Sequence, residues 1–329
     1  MASKTSSESP QVPPTMKAAA ADRFGPPSVL RLHTLPVPKP GPDQVLIAVD
    51  TAGVGVWDAS IRDGSWRPGG RTRFPVVPGT DGSGVIVAKG NRVRRFRIGD
   101  RVCASAFGFY QEYIAVDSHD VAHLPPPLDL LHAGAGTITG ITALLGIDDA
   151  LHIRSGETVL IFGASGAVGT LAVQFAKRRK ARVLATASGK DALTLVRRLG
   201  ADAVIDVRKS DAIENLRKLA PEGIDAALAL AASDQLERCL DLVRKGGRIA
   251  YPNGVEPGPR HRPRIRVVSY DAKTGPRQFA QFTRAVAETK LRVPIAASYP
   301  LAQAAKAHAR LARGHILGRI VLRINPKTR

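Results

Sequence analysis

Two patterns of hydrophobic and polar residues divide the chain. From residue 16 to about residue 126, short apolar runs such as QVLIAVDTAGV and GSGVIVAK are interrupted at close intervals by Gly, Pro and Asp. This punctuation is typical of strands joined by turns and predicts a β-rich first domain. The residues before it, MASKTSSESPQVPPT (1–15), are polar and rich in serine and proline, and we expect them to form a disordered tail.

From residue 127 onward, apolar strands alternate with amphipathic helices. The strand TVLIFG precedes the helix AVGTLAVQFAKRRK, and the alternation continues through a helix over 233–247, SDQLERCLDLVRKGG, to a sixth strand, RIRVVSY. This alternation predicts crossover connections and a doubly wound parallel sheet over residues 127–289. Two later strands, IAASYPL and GRIVLRI, are expected to return to the first sheet, so that the first domain comprises residues 16–126 and 290–329.

The turn GASGAVG, after the first of these strands, has the pattern of a dinucleotide-binding loop with one substitution. Ala164 stands where the first glycine of the fingerprint is expected, and Gly166 and Gly169 occupy the other two positions. A glycine-rich turn between a buried strand and a helix directs free N–H groups and the positive helix end at one point, which suits a pyrophosphate. The sequence therefore predicts a dinucleotide site here.

The end of the next strand indicates which dinucleotide fits. A site for NAD carries a carboxylate there, about 20 residues beyond the glycines, which binds the ribose 2′-hydroxyl. Here Ser188 and Lys190 come first, and Asp191 only follows them. A hydroxyl and an ammonium group suit a 2′-phosphate, so NADPH is favoured over NADH. In the alternative, Lys190 is a surface lysine and Asp191 binds the ribose of NADH.

Taken in order, these motifs resemble the medium-chain dehydrogenase/reductase superfamily, and within it the zinc-free quinone oxidoreductase branch that includes zeta-crystallin. The resemblance runs from about Met16 to the end of the chain and is carried by PGTDGSGVIVAKG, RIGDRV, GITALLGI, GETVLIFGASGAVGTLAVQFAK, LGADAVID, GGRIAYPNG and GHILGRIVL. It implies an α/β fold in which a doubly wound parallel Rossmann sheet is inserted into a GroES-like β-rich catalytic domain. It also implies a homodimer that pairs the edges of the cofactor-domain sheets.

The same resemblance implies chemistry without zinc. In the zinc-dependent alcohol dehydrogenases of the superfamily, a cysteine follows an early Gly-Val and a His-Glu pair follows Pro-Gly; this chain has Gly55 and Thr80-Asp81 at those places. Quinones and conjugated enones need less help from a Lewis acid, because their reduced anions are delocalised. We therefore expect hydride transfer from NADPH to a quinone or another conjugated carbonyl acceptor. Reduction of an enone carbon–carbon double bond is the alternative within the branch.

Position by position, the resemblance assigns the pyrophosphate turn to Ser165, Gly166, Ala167, Val168 and Gly169, and the ribose phosphate to Ser188 and Lys190. It places Thr142 near the nicotinamide and Asn253 at the carboxyl edge of the sheet, where a simple turn asparagine is an equal alternative. The substrate cleft is expected to involve Trp57, Ser60 and Tyr110, although packing in a domain core also accounts for the two aromatic residues. Gly55 replaces an asparagine that family members often carry near the cofactor. No side chain is assigned a catalytic role.

Charge adds an alternative of another class. The chain has 48 Lys and Arg residues against 28 Asp and Glu, a formal net charge of +20, and strongly basic proteins attract polyanions. An NADPH-binding module that binds an anionic partner such as RNA, with weak or no catalysis, is therefore the second alternative. Scattered basic residues and an aromatic content of 5% favour a solvated basic surface instead. We find no signal peptide and no apolar run that would span a bilayer, and expect a cytoplasmic protein without metal or membrane contact.

Overall fold

The structure of the protein, a computed structural model, describes residues 12–67, 70 and 72–325. Its strands are β1 Thr15–Ala21, β2 Leu30–Pro36, β3 Gln44–Val54, β4 Asp81–Lys89, β5 Arg101–Ser105, β6 Tyr113–Asp117, β7 Val121–His123, β8 Thr158–Phe162, β9 Arg182–Ala187, β10 Ala203–Asp206, β11 Ile224–Ala229, β12 Val243–Pro252, β13 Arg266–Tyr270, β14 Ile295–Pro300 and β15 Arg319–Arg323. Its α-helices are α1 Val56–Asp63, α2 Leu130–Leu144, α3 Ala167–Arg178, α4 Lys190–Arg198, α5 Ala212–Leu219, α6 Asp234–Leu240, α7 Pro276–Thr289 and α8 Ala304–Ala312. Of the tail predicted over residues 1–15, residues 1–11 lie outside the described part of the chain, and Thr15 already belongs to β1.

A six-stranded parallel sheet confirms the doubly wound fold predicted for the second half of the chain. Its strands lie in the order β10–β9–β8–β11–β12–β13. Side chains of the central strand β8 alternate between two apolar clusters. Val159 and Ile161 pack with α3 on one face, whereas Leu160 and Phe162 pack with α5 and α6 on the other. Because helices cover both faces, β8 is a continuous apolar run.

The last two strands confirm the expected return to the β-rich part of the chain. The first large sheet has the order β14–β15–β3–β4–β5–β7, and β6 also pairs with β3. β15 runs antiparallel to β3, with Ile320 opposite Val54, and parallel to β14. Strands from residues 44–123 and 295–323 therefore build one sheet, with the parallel sheet inserted between them, whereas β1 and β2 form a separate two-stranded sheet. The domain limits near residues 126 and 290 stay a prediction.

One helix is shorter than its sequence pattern predicts. The helix expected over residues 233–247 ends at Leu240, and Val243 already begins β12. Val243 pairs with Ile224 of β11 in the parallel ladder, so the sheet takes the second half of this segment. The prediction was wrong there because pairing with a neighbouring strand outweighs the helical pattern of the residues.

One described segment passes for a membrane span by length and composition, although His132, Asp148 and Asp149 interrupt its apolar run. With the π-helical turn that follows it, α2 forms the segment Leu130–Ala150, which has 21 residues and a mean hydropathy of 1.5 and is long and apolar enough to cross a membrane. In the fold, 83% of its apolar window is buried inside the protein, as in a core helix. Gly134 of α2 packs against Thr51 of β3, and Gly140 packs against Phe282 of α7.

Candidate functional site

The glycine-rich turn lies between β8 and α3, as predicted, and Gly163 makes its sharp bend. Gly163 has φ 83°, a left-handed conformation that favours glycine. Ala164 is buried, and its N–H donates to the carbonyl oxygen of Thr186 on β9 at 3.0 Å. The fingerprint glycine missing at position 164 is therefore not needed for the bend. A Cβ at Gly169 would lie 2.4 Å from the carbonyl oxygen of Gly163, so glycine is needed where α3 packs against the strand end.

The exposed part of this turn suits an anion. Gly166 is the N-cap of α3, no side chain caps the helix, and residues 165–168 are partly exposed, whereas Gly169 is buried. The first N–H groups of α3 and the positive helix end are therefore available to a pyrophosphate. The N–H of Gly318 donates to the carbonyl oxygen of Ser165 at 2.9 Å, so the segment that precedes β15 lies against the turn.

Two carboxylates near the end of β9 are paired with basic side chains. Asp191 contacts His315, with 2.9 Å between its Oδ2 and Nε2 of the ring. Asp206, at the end of β10, forms a bidentate pair with Arg208, with N···O distances of 3.0 and 2.9 Å. Hydrogen bonds from these partners lower the pKa of both carboxyls. Both carboxylates are thus engaged by a neighbour, and each keeps lone pairs that can accept a ribose hydroxyl.

The turn after β9, where the sequence predicts the ribose phosphate, carries charges of both signs. Lys190 is exposed at the first position of α4, and Ser188 is partly exposed just before it. A Cβ at Gly189 would lie 3.0 Å from Oδ1 of Asp191, 3.5 Å from Cε1 of His315 and 3.6 Å from Nη2 of Arg208, so a carboxylate, an imidazole and a guanidinium stand beside this turn. Sequence reasoning missed His315 and Arg208. His315 comes from a distant part of the chain, and Arg208 follows an acidic strand end that gives no phosphate-binding pattern.

Thr142 and Asn253 lie in different settings. The Thr142 hydroxyl donates to the carbonyl oxygen of Ile138 within α2 at 2.7 Å, and its own carbonyl oxygen accepts from the Tyr270 hydroxyl at 3.1 Å. Asn253 is exposed directly after β12, at the carboxyl edge of the parallel sheet, where its N–H donates to the carbonyl oxygen of Tyr270 at 2.9 Å. Contacts of either residue with a cofactor stay predictions.

Three aromatic side chains, Trp57, Trp66 and Phe107, form what we call the aromatic wall. The ring centroids of Trp57 and Trp66 are 4.7 Å apart, and those of Trp66 and Phe107 are 5.3 Å apart. Trp57 is 37% exposed, and a Cβ at Gly254, just after β12, would lie 3.0 Å from its Cζ2. The wall therefore faces the carboxyl edge of the parallel sheet, where doubly wound folds bind their ligands.

Ser60 supports the aromatic wall through its backbone. The carbonyl oxygen of Ser60 accepts a hydrogen bond from the N–H of Trp66 at 3.1 Å. Ser60 is only partly exposed. The sequence singled out Trp57 and Ser60 in this region, but not Trp66 or Phe107. These two residues follow turns without a recognisable motif, so only the folded chain brings them to Trp57.

The structure corrects the expectation that Tyr110 borders the substrate cleft. Its side chain is 0% exposed within the core of the first sheet. Its N–H donates to the carbonyl oxygen of Pro78 at 3.0 Å, and its carbonyl oxygen accepts from Ala19 at 2.8 Å, so the backbone fixes it in the interior. The Tyr110 hydroxyl lies 3.1 Å from Nε2 of His308. Core packing is therefore the correct interpretation of this aromatic residue.

A buried ion pair fills the space beside Gly53 and Gly55. Arg319 of β15 donates from Nη2 to Oδ1 of Asp81 at 2.8 Å, and both side chains are buried. A Cβ at Gly53 would lie 2.6 Å from Arg319 Nη2, and one at Gly55 2.8 Å from Arg319 Nη1. The guanidinium of Arg319 thus occupies the volume that a side chain at position 55 would need, which explains the glycine there.

Comparisons with known proteins agree with this architecture. Residues 41–126 match the family described as alcohol dehydrogenase GroES-like domain, and residues 199–322 match the family described as zinc-binding dehydrogenase. A quinone oxidoreductase of Lama guanicoe is 34% identical over 323 residues, which cover 93% of this chain and 97% of the relative. The chain belongs to the quinone oxidoreductase branch of the medium-chain dehydrogenase/reductase superfamily. The protein is accordingly an oxidoreductase of this superfamily, as its sequence motifs indicate.

Solved structures of this superfamily share the fold along almost the whole chain. A structure described as an NAD-dependent alcohol dehydrogenase is 28% identical with a TM-score of 0.88, covering 94% of this chain and 100% of the other. A mycobacterial structure described as complexed with NADPH is 27% identical with a TM-score of 0.82, covering 93% of this chain and 99% of the other. Relatives of this superfamily are thus described with either cofactor.

One matched family is described as zinc-binding, which bears on the metal ligands that the fold could offer. Within residues 12–67, 70 and 72–325, no group of three or more His, Cys, Asp or Glu side chains is arranged to hold a metal ion. Of the two carboxylates beside the Thr80 turn, Asp81 is engaged by Arg319, and Asp58 accepts the N–H of Gly55 at 2.7 Å. The absence of zinc from the working protein stays a prediction.

Proposed function

We propose that the protein is an NADPH-dependent, zinc-independent oxidoreductase that transfers hydride to quinones or other conjugated carbonyl acceptors. The observation that carries this proposal is the aromatic wall opposite the carboxyl edge of the parallel sheet. The exposed rings of Trp57 and Phe107 suit a planar conjugated acceptor, because such acceptors stack on aromatic side chains. The named quinone oxidoreductase relatives add support.

The residues of the site fit a dinucleotide with a 2′-phosphate. The turn at Gly166 offers uncapped N–H groups to the pyrophosphate, and the turn at Gly189 has Lys190, Arg208 and His315 beside it for the additional phosphate. Asp191, the alternative ribose ligand of NADH, already contacts His315. A bound nicotinamide would supply the hydride, and the chain contributes binding, orientation and a wall that excludes water from one side of the acceptor.

We further propose the domain division and assembly that the sequence predicts. Residues 16–126 with 290–329 form the catalytic domain, and residues 127–289 form the cofactor domain. β13 is one of the two edge strands of the parallel sheet and is partly exposed, which supports a homodimer that pairs two such edges. A cytoplasmic location accompanies this proposal.

The test of the proposed function is the oxidation of NADPH by defined acceptors. We expect metal-free protein to consume NADPH, followed by absorbance at 340 nm, when 9,10-phenanthrenequinone is added, with a much slower reaction for NADH. An acyclic enone in place of the quinone tests the alternative reduction of a carbon–carbon double bond. Activity that returns only after zinc is added would contradict the proposal, as would equal rates with simple alcohols and NADP.

Replacement of Arg208 should reverse much of the preference for NADPH. Arg208→Ala removes one cation from the ribose end and frees the Asp206 carboxylate, which then repels a 2′-phosphate and accepts a ribose hydroxyl. Charge-assisted contacts of this kind contribute roughly 1.5–3 kcal/mol, so kcat/KM for NADPH should fall on the order of 10- to 100-fold while that for NADH holds or rises.

The matched control is Arg217→Ala, which removes an exposed arginine paired with Glu214 on α5. This variant should keep the wild-type ratio of NADPH to NADH activity. An unchanged ratio in both Arg208→Ala and Lys190→Ala would instead favour the interpretation that Asp191 binds the ribose of NADH.

A further inference from the structure

α1 carries two buried charges of opposite sign on one face. Asp58 and Arg62 are four residues apart and therefore neighbours on the helix surface, and they are 0% and 7% exposed. Arg62 donates from Nε to the carbonyl oxygen of Gly25 at 2.9 Å and contacts Nδ1 of His308 through Nη1 at 3.2 Å. The hydrogen bonds that lead from Arg62 towards Asp58 pass through the side chains of His308 on α8 and Tyr110 before β6.

The hydrogen-bond direction along this route is determined by Arg62. A guanidinium can only donate, so Nδ1 of His308 accepts and the ring proton is on Nε2. Nε2 then donates to the Tyr110 hydroxyl oxygen, 3.1 Å away. Burial, followed by the charge of Arg62, lowers the pKa of His308 to about 3, so the ring is neutral and has only this one proton to give. The Tyr110 hydroxyl proton remains free to point elsewhere.

The remaining proton and the remaining acceptor lie side by side. The Tyr110 hydroxyl adjoins the Asp58 carboxyl, and burial and then the charge of Asp58 raise the pKa of Tyr110. Oδ2 of Asp58 accepts the N–H of Gly55 at 2.7 Å, whereas Oδ1 is buried without a hydrogen-bond partner among the described residues. A buried carboxylate oxygen without a donor is costly, and the hydroxyls of Tyr110 and Thr80 are both close enough to Asp58 to affect its proton balance.

We propose that Arg62, His308 and Tyr110 form a polarised hydrogen-bond chain that ends on Asp58, and that Asp58 is the positioning residue for the Trp57 side of the aromatic wall. The role of Asp58 in acceptor binding rests on the proposed function, whereas the hydrogen-bond chain does not. Asp58 fixes the first turn of α1 through the N–H of Gly55, and Trp57 belongs to that turn. An ionised Asp58 therefore holds Trp57 in place against Gly254.

Protonation of Asp58 should loosen this arrangement near pH 6. Burial raises the pKa of Asp58 to about 6; Arg319 on β15 opposes this rise, the charge of Asp81 on β4 adds to it, and the Gly55 N–H and the Thr80 hydroxyl oppose it. His308 of α8, which is neutral, contacts Tyr110. Besides Asp58, the charged residues of α1 are Arg62 and Asp63. A protonated Asp58 is a weaker acceptor for Gly55, so the first turn of α1 is held less tightly below this pH.

Intrinsic fluorescence tests the chain in the cofactor-free protein, because its two tryptophans, Trp57 and Trp66, are in contact within the wall. We expect the emission to change with a midpoint near pH 6 and the change to be absent in Asp58→Asn. Tyr110→Phe removes the donor to the ionised form, so its midpoint should rise by on the order of one pH unit. In the active enzyme, KM for the quinone should rise several-fold from pH 7 to pH 5.

Matched variants separate the chain from general packing. His308→Gln can accept from Arg62 with its carbonyl oxygen and donate to Tyr110 with its amide, so it should keep the wild-type midpoint, whereas His308→Leu should raise it. Tyr113→Phe removes a hydroxyl from a partly exposed tyrosine of β6 and should leave the midpoint unchanged.

The fluorescence result stands whether or not quinones are reduced, so failure of the chain and failure of the proposed function are distinguishable. A transition near pH 6 that persists in Asp58→Asn would overturn the proposal, as would a wild-type protein without this transition. If His308→Leu does not fold, the comparison of Tyr110→Phe with Tyr113→Phe tests the hydrogen-bond chain instead. Equal midpoints in these two variants would also refute that hydrogen-bond chain.

Discussion

Arg319→Met is expected to lower the free energy of unfolding by about 3–5 kcal/mol, the range found when one partner of a buried ion pair is removed. Methionine keeps the apolar stem but leaves Asp81 buried without its guanidinium partner. Asp58 also loses the positive charge that lowers its pKa most, so that pKa should rise above about 6. Urea unfolding of the two proteins at pH 7.5 measures the difference.

The pH dependence of Arg319→Met provides a second check. Burial raises the pKa of Asp81 and of Asp58 above their unfolded value, so each folded carboxyl holds its proton to a higher pH than the unfolded one. Stability from such groups is present below the unfolded pKa and is lost as pH rises. The variant should therefore be less destabilised at pH 5.5 than at pH 7.5.

The control for Arg319→Met is Arg92→Met, which breaks an exposed pair with Asp43 in which Arg92 is 70% exposed. Exposed pairs contribute about 0–1 kcal/mol, so this variant should unfold almost as the wild type does. Equal losses in the two variants would show that the buried position of Arg319 carries no special energy.

Gly169→Ala should disrupt both the fold of the turn and cofactor binding. The new Cβ would lie 2.4 Å from the carbonyl oxygen of Gly163 and 2.7 Å from Cα of Ala164, and both are backbone atoms that cannot rotate away. α3 must shift off the strand end, at a cost of roughly 1–3 kcal/mol or more. Thermal unfolding and NADPH titration should therefore both change, with affinity lowered at least about 10-fold for each 1.4 kcal/mol lost at the site.

Gly166→Ala is the matched substitution in the same turn. A Cβ at Gly166 would lie 3.6 Å from the carbonyl oxygen of Gly163, an ordinary contact, and φ of −75° suits alanine. This variant should melt like the wild type while binding NADPH more weakly, because the methyl group stands where the phosphates approach. Wild-type melting of Gly169→Ala would refute the packing role of that glycine.

Local patterns were sufficient to predict the parts of the fold that local interactions determine. β8 is a continuous apolar run followed by a glycine-rich turn and an amphipathic helix, so strand, turn and helix each have a signal within a few residues. The positions of Ser188 and Lys190 just after β9 could also be predicted locally, because the end of that strand has its own signal in the sequence. The helix over 233–247 was predicted too long because pairing between Val243 and Ile224, which is not local, determines its end.

The rest of the site depends on residues that meet only in the folded chain. His315 reaches the ribose end from the last part of the sequence, and Trp66 and Phe107 join Trp57 from two separate turns. Gly55 looked like the loss of a functional side chain, yet Arg319 from β15 occupies that volume. No spacing in the sequence links residues that meet in this way. The sequence therefore shows which residue types are present but not which of them become neighbours in the fold.

The position of β15 gives the protein an unusual order of completion during synthesis. All six strands of the parallel sheet precede β14 and β15 in the sequence, so that sheet can leave the ribosome and close before the first sheet is complete. β3 was made much sooner, but its stretch from Thr51 to Val54 pairs with residues 320–323 and waits for them with an open edge. The half of the protein that is translated first is thus the half that finishes folding last.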